Sequence, residues 1–178
     1  MAYLRGIVME KPFWETKSLQ EMSAQEWEAL CDGCGKCCLI KLEDEDSGDI
    51  VYTDLACHAL DLSCMKCTCY ETRTQTVPGC IRLEPHDLSP IDFLPSSCAY
   101  KRIYEGRSLA AWHPLIAGDQ TAMRDAGISA IGRVQAEAKP QAPSHPPSSD
   151  LSHAEEDDFE AHVVDWPFHD QDLPALEI

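Results

Sequence analysis

The sequence predicts a small, irregular α+β domain organised around metal, with short helices, one β-hairpin and a disordered acidic tail. Three observations carry this. Ten cysteines crowd a chain of 178 residues. Apolar periodicity comes only in short runs bounded by turn residues. The composition also changes abruptly after residue 136.

The N-terminus, "MAYLRGIVMEKPFWETK", has no apolar run of signal-peptide length, because Glu10 and Lys11 interrupt it. No stretch approaches the roughly 18 to 20 apolar residues of a membrane span. A cytoplasmic protein without a membrane partner is expected. In that compartment thiols stay reduced, and clustered cysteines point to metal or catalysis before disulfides.

Ser23-Ala24-Gln25-Glu26 reads as a capping box that opens a short helix. Trp27 and Leu30 fall one turn apart on its inner face, and the helix runs into Cys31. The stretch "LIKLEDEDSGDIVYTD" reads as a hairpin, with strands at 39–42 and 50–53 and an acidic turn at Ser47-Gly48. Asp44, Asp46 and Asp49 miss the EF-hand spacing, so a solvated turn is the reading. "PSSCAYKRIYEG" predicts a helix from about residue 96 to Gly106, with Ala99, Tyr100 and Ile103 inward. Cys98 then sits in the first turn, where the helix dipole favours a thiolate.

Residues 1–136 read as the cysteine-rich domain, 137–161 as a disordered linker, and 162–178 as a C-terminal segment. Pro140, Pro143, Pro146 and Pro147, followed by serines and a run of acids, leave too little apolar area to offset chain entropy. Val163, Val164, Trp166 and Phe168 are more apolar, and this end is expected to dock on the domain or bind a protein partner. The formal net charge is −17, of which −10 lies in residues 137–178. Such acidity excludes nucleic acid as a partner, since phosphate contacts need clustered Lys and Arg.

The chemistry rests in "CDGCGKCC". Cys31-x2-Cys34-x2-Cys37 repeats the knuckle spacing that aims two thiolates at one metal, with glycines allowing the turns. It matches the first three ligands of a bacterial ferredoxin run, then departs: Cys38 follows directly. Adjacent side chains point apart, so Cys37 and Cys38 are expected to serve different sites, or one is not a ligand. Cys57, Cys64, Cys67, Cys69, Cys80 and Cys98 complete the candidate set. Ten thiols exceed by two the eight that a pair of four-coordinate sites requires. His58, His86 and His113 stay off the ligand list as structural or exposed, with Trp112-His113-Pro114 read as a packed turn. No hydrolase elbow, zincin, phosphate-loop or dinucleotide motif is present in the sequence.

Together "CDGCGKCCLIKLEDED", "ACHALDLSCMKCTCYETR", "VPGC", "FLPSSCAYKRIYEGRSLAAWHPLIAGD" and "HVVDWP" resemble the YcgN-like proteins of the YkgJ-type cysteine-cluster group, described as zinc- or iron-chelating. The resemblance implies ligand roles for Cys31, Cys34, Cys37, Cys38, Cys57, Cys67, Cys80 and Cys98. It departs at Met65, where the pattern has a cysteine; Cys64 and Cys69 lie to either side. Iron–sulfur or zinc is the expected cofactor, with iron–sulfur favoured by the ferredoxin-like triplet. Two function classes stay open: a metal-binding interaction protein, or a redox or metal-dependent enzyme.

Overall fold

The structure is a computed structural model and describes residues 11–137 and 159–164. It is the mixed, irregular α+β arrangement expected. Six short α-helices occur among the described residues: α1 (Phe13–Thr16), α2 (Ala24–Ala29), α3 (Arg73–Thr76), α4 (Ala99–Tyr104), α5 (Pro114–Ala117) and α6 (Thr121–Asp125). The strands are β1 (Leu39–Glu43), β2 (Ile50–Ala56), β3 (Leu60–Asp61), β4 (Lys66–Cys67) and β5 (Gln135–Ala136). No helix among these residues is long and apolar enough to cross a membrane.

The capping box forms as written in the sequence. Ser23 Oγ accepts from the Glu26 amide at 3.3 Å, and Glu26 Oε2 accepts from the Ser23 amide at 2.8 Å. The hairpin also forms: β1 and β2 pair antiparallel, with Lys41 opposite Tyr52 and a register shift between Leu39 and Lys41. Two-residue β5 adds to β2 in parallel, with Leu55 opposite Gln135. β3 and β4 make a separate small hairpin, with Leu60 opposite Cys67.

Three apolar clusters surround the cysteine loop. Leu39, Tyr52, Ala56, Leu60, Met65 and Ala130 pack on the sheet. Leu19, Trp27, Leu30, Ala99 and Leu109 join α2 to α4. Cys34 itself belongs to the third cluster, with Trp112, Met123 and Ile128. Fully burying a side chain such as Leu30 contributes roughly 2 kcal/mol. The Tyr100 hydroxyl donates to Trp27 O at 2.8 Å, which fixes α4 on α2.

β2 also receives residues from far along the chain. Val163 bridges Thr53, and the Val164 amide donates to Tyr52 O at 3.0 Å. His162 Nδ1 lies 2.7 Å from Asp54 Oδ1. The expectations for Trp166, Phe168 and most of the 137–161 linker lie outside the described residues.

Candidate metal centre

The loop at residues 31–38 is fixed by its own backbone before any ligand enters. Asp32 Oδ1 accepts from the Cys34 amide at 2.9 Å, a tight turn closed by a side chain. Gly35 has φ +82°, and a Cβ there would stand 2.7 Å from Met65 Sδ, so only glycine fits. Gln120 Nε2 donates to Asp32 O at 3.1 Å, and the Ala130 amide donates to Cys34 O at 2.8 Å. The loop is thereby tied to both neighbouring clusters.

Cys98 reaches this loop from α4. It occupies the N-cap rather than the first turn. Amides of Lys101 and Tyr100 do favour its thiolate, as helix-end geometry requires, but burial outweighs them and pushes the thiol up to about 12. The help expected from the helix end is present in these amides, and desolvation outweighs it. The negative charges of Asp32 and Cys37 act in the same direction on Cys98. Burial likewise raises Cys31 and Cys34, with Cys37 and Asp32 adding to both. Cys31, Cys34, Cys37 and Cys98 thus form one electrostatically linked group with Asp32. Cys31 and Cys37 keep accessible surface although protein atoms ring their thiols.

Two lysines accompany this group. Lys36 is only 1% exposed, and its Nζ donates to Ser97 Oγ at 3.3 Å, one residue before Cys98. Lys41 Nζ donates to Cys37 O at 2.9 Å and Leu39 O at 2.8 Å. Cys37 is drawn down, first by its hydrogen bond with the Cys38 thiol, whose sulfur lies 3.9 Å away, and further by Lys41. Cys38 is raised by the same contact and by burial.

Asp32 is 5% exposed, and its Oδ2 has no hydrogen-bond partner. An orphaned buried oxygen costs about 1 to 3 kcal/mol, and more when charged. Buried lysines are costly too unless negative charge lies near. Soft thiolates, ammonium groups that offset their charge, and an oxygen awaiting a partner form a donor set that fits a thiolate-bound metal. The cysteines would hold it, and Lys36 and Lys41 would balance the charge.

Cys38 turns the chain toward a second group. Its thiol senses Cys57 and Cys67 as well as Cys37, and the Cys57 amide donates to Cys38 O at 2.8 Å. Cys67 Sγ lies 3.9 Å from Cys69 Sγ. Cys80 senses Cys67, Cys57 and Cys37, and its thiol is raised by burial, as are those of Cys57 and Cys67. Cys64 is exposed and sits beside Asp61. Met65, where the resembled pattern has cysteine, is instead a core residue, 6% exposed with φ 56°. All ten cysteines are free thiols.

His113 is structural, as expected. It is buried, with Nε2 on Leu30 O at 3.0 Å and Nδ1 accepting from the Leu115 amide at 3.1 Å. His58 is different. Its Nδ1 lies 2.8 Å from Glu137 Oε1, and donor atoms of Cys57, His58 and Glu137 all lie within 4.8 Å of one another. Sequence reasoning passed over Asp32, Lys36 and Glu137 and set His58 aside as structural or exposed. Asp32, Lys36 and His58 are adjacent to cysteines; Glu137 carries no local signal.

Comparison with known proteins agrees with a metal-centred reading. A family profile, CxxCxxCC, described as "Putative zinc- or iron-chelating domain", matches residues 30–99. A UPF0260 protein of Parvibaculum lavamentivorans is 45% identical over 158 residues, covering 89% of this chain and 94% of that protein. One from Agrobacterium fabrum is 47% identical over 158 residues, 89% of each chain. One from Caulobacter sp. is 52% identical over 121 residues, 67% of this chain and 74% of its own. The relatives carry that name rather than YcgN-like. No solved structure matches the chain.

Proposed function

The chain belongs to the UPF0260 family, and from that premise we propose that it is an iron–sulfur protein with two adjoining thiolate centres. The first is drawn from Cys31, Cys34, Cys37 and Cys98. The second is drawn from Cys38, Cys57, Cys67, Cys69 and Cys80, five thiols for four positions. The observation that supports the reading is the gathering of thiols on both sides of the Cys37–Cys38 peptide. Cys37 interacts with Cys31, Cys34 and Cys98 and lies 3.9 Å, sulfur to sulfur, from Cys38; the Cys38 thiol also senses Cys57 and Cys67, and Cys80 senses Cys37, so the two groups adjoin.

Iron–sulfur is favoured over zinc by the three-thiolate run joined by a remote fourth cysteine, the ferredoxin manner of ligation. Cys69, whose sulfur lies 3.9 Å from that of Cys67, takes the place of the cysteine that the resembled pattern has at Met65; Cys64 is one of the two spare thiols. Bound iron–sulfur would supply electron transfer or a reactive iron. The chain's own residues position the thiolates, exclude water around Cys34, and balance charge through Lys36 and Lys41.

Anaerobic purification with iron, sulfide and zinc counted per chain tests this. Iron and sulfide in near-equal amounts are expected, with visible absorbance that bleaches on reduction. Cys34→Ser and Cys67→Ser should each remove part of the iron, and the double variant all of it. A colourless protein holding zinc and no sulfide would sink the iron–sulfur reading. Complete iron loss from either single variant would sink the two-centre reading.

A further inference from the structure

We propose that Cys57, the fifth thiol left over when Cys38, Cys67, Cys69 and Cys80 fill the second centre, forms with His58 and Glu137 a third, open site for one divalent transition-metal ion, distinct in donor chemistry from the thiol groups. The three donors bring sulfur, nitrogen and oxygen to within 4.8 Å of one another. They come from chain segments 79 residues apart, so the convergence is a product of the fold.

The backbone around the trio is fixed on every side. The Glu137 amide donates to Ala56 O at 2.8 Å, immediately after β5, and the Cys57 amide donates to Cys38 O. The turn from residue 57 to 60 closes through the Leu60 amide on Cys57 O at 2.9 Å. Thr68 clamps the same turn, with both its amide and its hydroxyl donating to Ala59 O. Ala56, Ala59 and Leu60 are buried and form an apolar floor. His58 and Glu137 keep 19% and 16% of their side-chain surface, so solvent reaches the site from one side.

An ion pair alone accounts for His58 and Glu137. It does not account for the Cys57 sulfur within 4.8 Å of both donor atoms, oriented by the Ala59 amide at 3.5 Å. Glu137 Oε1 accepts from both the His58 amide at 3.0 Å and the His58 ring at 2.8 Å, which holds the imidazole in one orientation. Thiolate, imidazole and carboxylate together suit zinc, cobalt or ferrous iron and disfavour calcium or magnesium. Three protein donors leave at least one coordination position for water or a small anion, the arrangement of catalytic rather than structural zinc. On loading, the Cys57 thiol gives its proton to solvent and its sulfur bonds the ion.

The probe is Co(II) alone, titrated into the full-length protein as purified, with iron and sulfide counted in the same sample. One equivalent should bind, competed by Zn(II), with X-ray absorption at the cobalt edge reporting mixed sulfur and nitrogen/oxygen neighbours. His58→Gln and Glu137→Gln should each weaken cobalt binding by at least about 100-fold, beyond what loss of a supporting partner alone does. Both should keep wild-type iron and sulfide. Cys34→Ser should lose part of its iron yet still take up cobalt, so this site and the thiol centres fail independently. Wild-type cobalt binding by both variants, an all-sulfur cobalt environment, or no uptake by the wild type would each overturn the proposal. If Glu137→Gln melts early because β5 detaches, His58→Gln, which can still donate to Glu137, decides the matter.

Discussion

The loop at residues 31–38 and the stretch at 57–80 both crowd thiols, and the protein holds them by opposite means. The first lies between apolar clusters. Cys34 is part of one of them, and Asp32 and Lys36 are buried beside it. The second rides on a two-residue hairpin and short turns, where Tyr70 is 43% exposed and the residues around Cys80 show little burial. Packing prepares the first group for a ligand. The second must draw more of its order from the ligand, since in such sites binding free energy is folding free energy.

The largest expected effect breaks the buried group. Cys34→Ser should empty the first centre and cost about 3 kcal/mol or more, roughly a 10 °C fall in melting temperature for a chain this size. Cys69→Ser should cost much less. Equal falls measured by calorimetry would erase the distinction between the regions.

Metal removal comes next. With a chelator present, hydrogen exchange should rise most steeply at 57–85 and least in α2 and β1, which keep their apolar contacts. Uniform loosening would mean that the first loop is no better packed than the second.

Asp32→Asn sharpens the account of the first group. Asparagine can still accept from the Cys34 amide but places a donor where the orphaned Oδ2 stood. Metal affinity should drop about 10- to 100-fold while the melting of the metal-free protein stays the same or rises. Unchanged affinity would show that Oδ2 plays no part in metal binding.

pH provides a further contrast. Cys98 titrates near 12 when folded against 9.0 as a free thiol. Below pH 9 both states hold the proton and stability is unaffected. Between 9 and 12 the unfolded chain loses it first, so the metal-free protein should lose stability as pH rises through that window. Metal uptake near neutral pH must expel these protons, so occupancy should fall on acidification. A melting temperature that is flat from pH 9 to 12 would contradict the buried thiol.

The smallest effect is at the sheet edge. His162→Ala removes the half-exposed contact with Asp54 and should cost less than about 1 kcal/mol, read by thermal melting. A larger cost would show that residues 159–164 brace β2 more than this surface pair accounts for.

What the sequence determined by itself is the local structure. The Ser23–Glu26 box, the 39–56 hairpin, the α4 segment ending at Gly106, and the knuckle spacing of Cys31, Cys34 and Cys37 all follow from interactions within a few residues. Backbone geometry alone decides such features, and composition records them. Tertiary structure decided the rest. It carried Cys98 to the first loop, brought the Cys37 and Cys38 thiols within 3.9 Å of each other, put Met65 into the core, and set Glu137 against His58. It also made β5 a strand, although two residues carry no periodicity to read. These pairings depend on how apolar clusters from distant segments close around the loop, and no local pattern encodes which buried oxygen is left without a partner when they do.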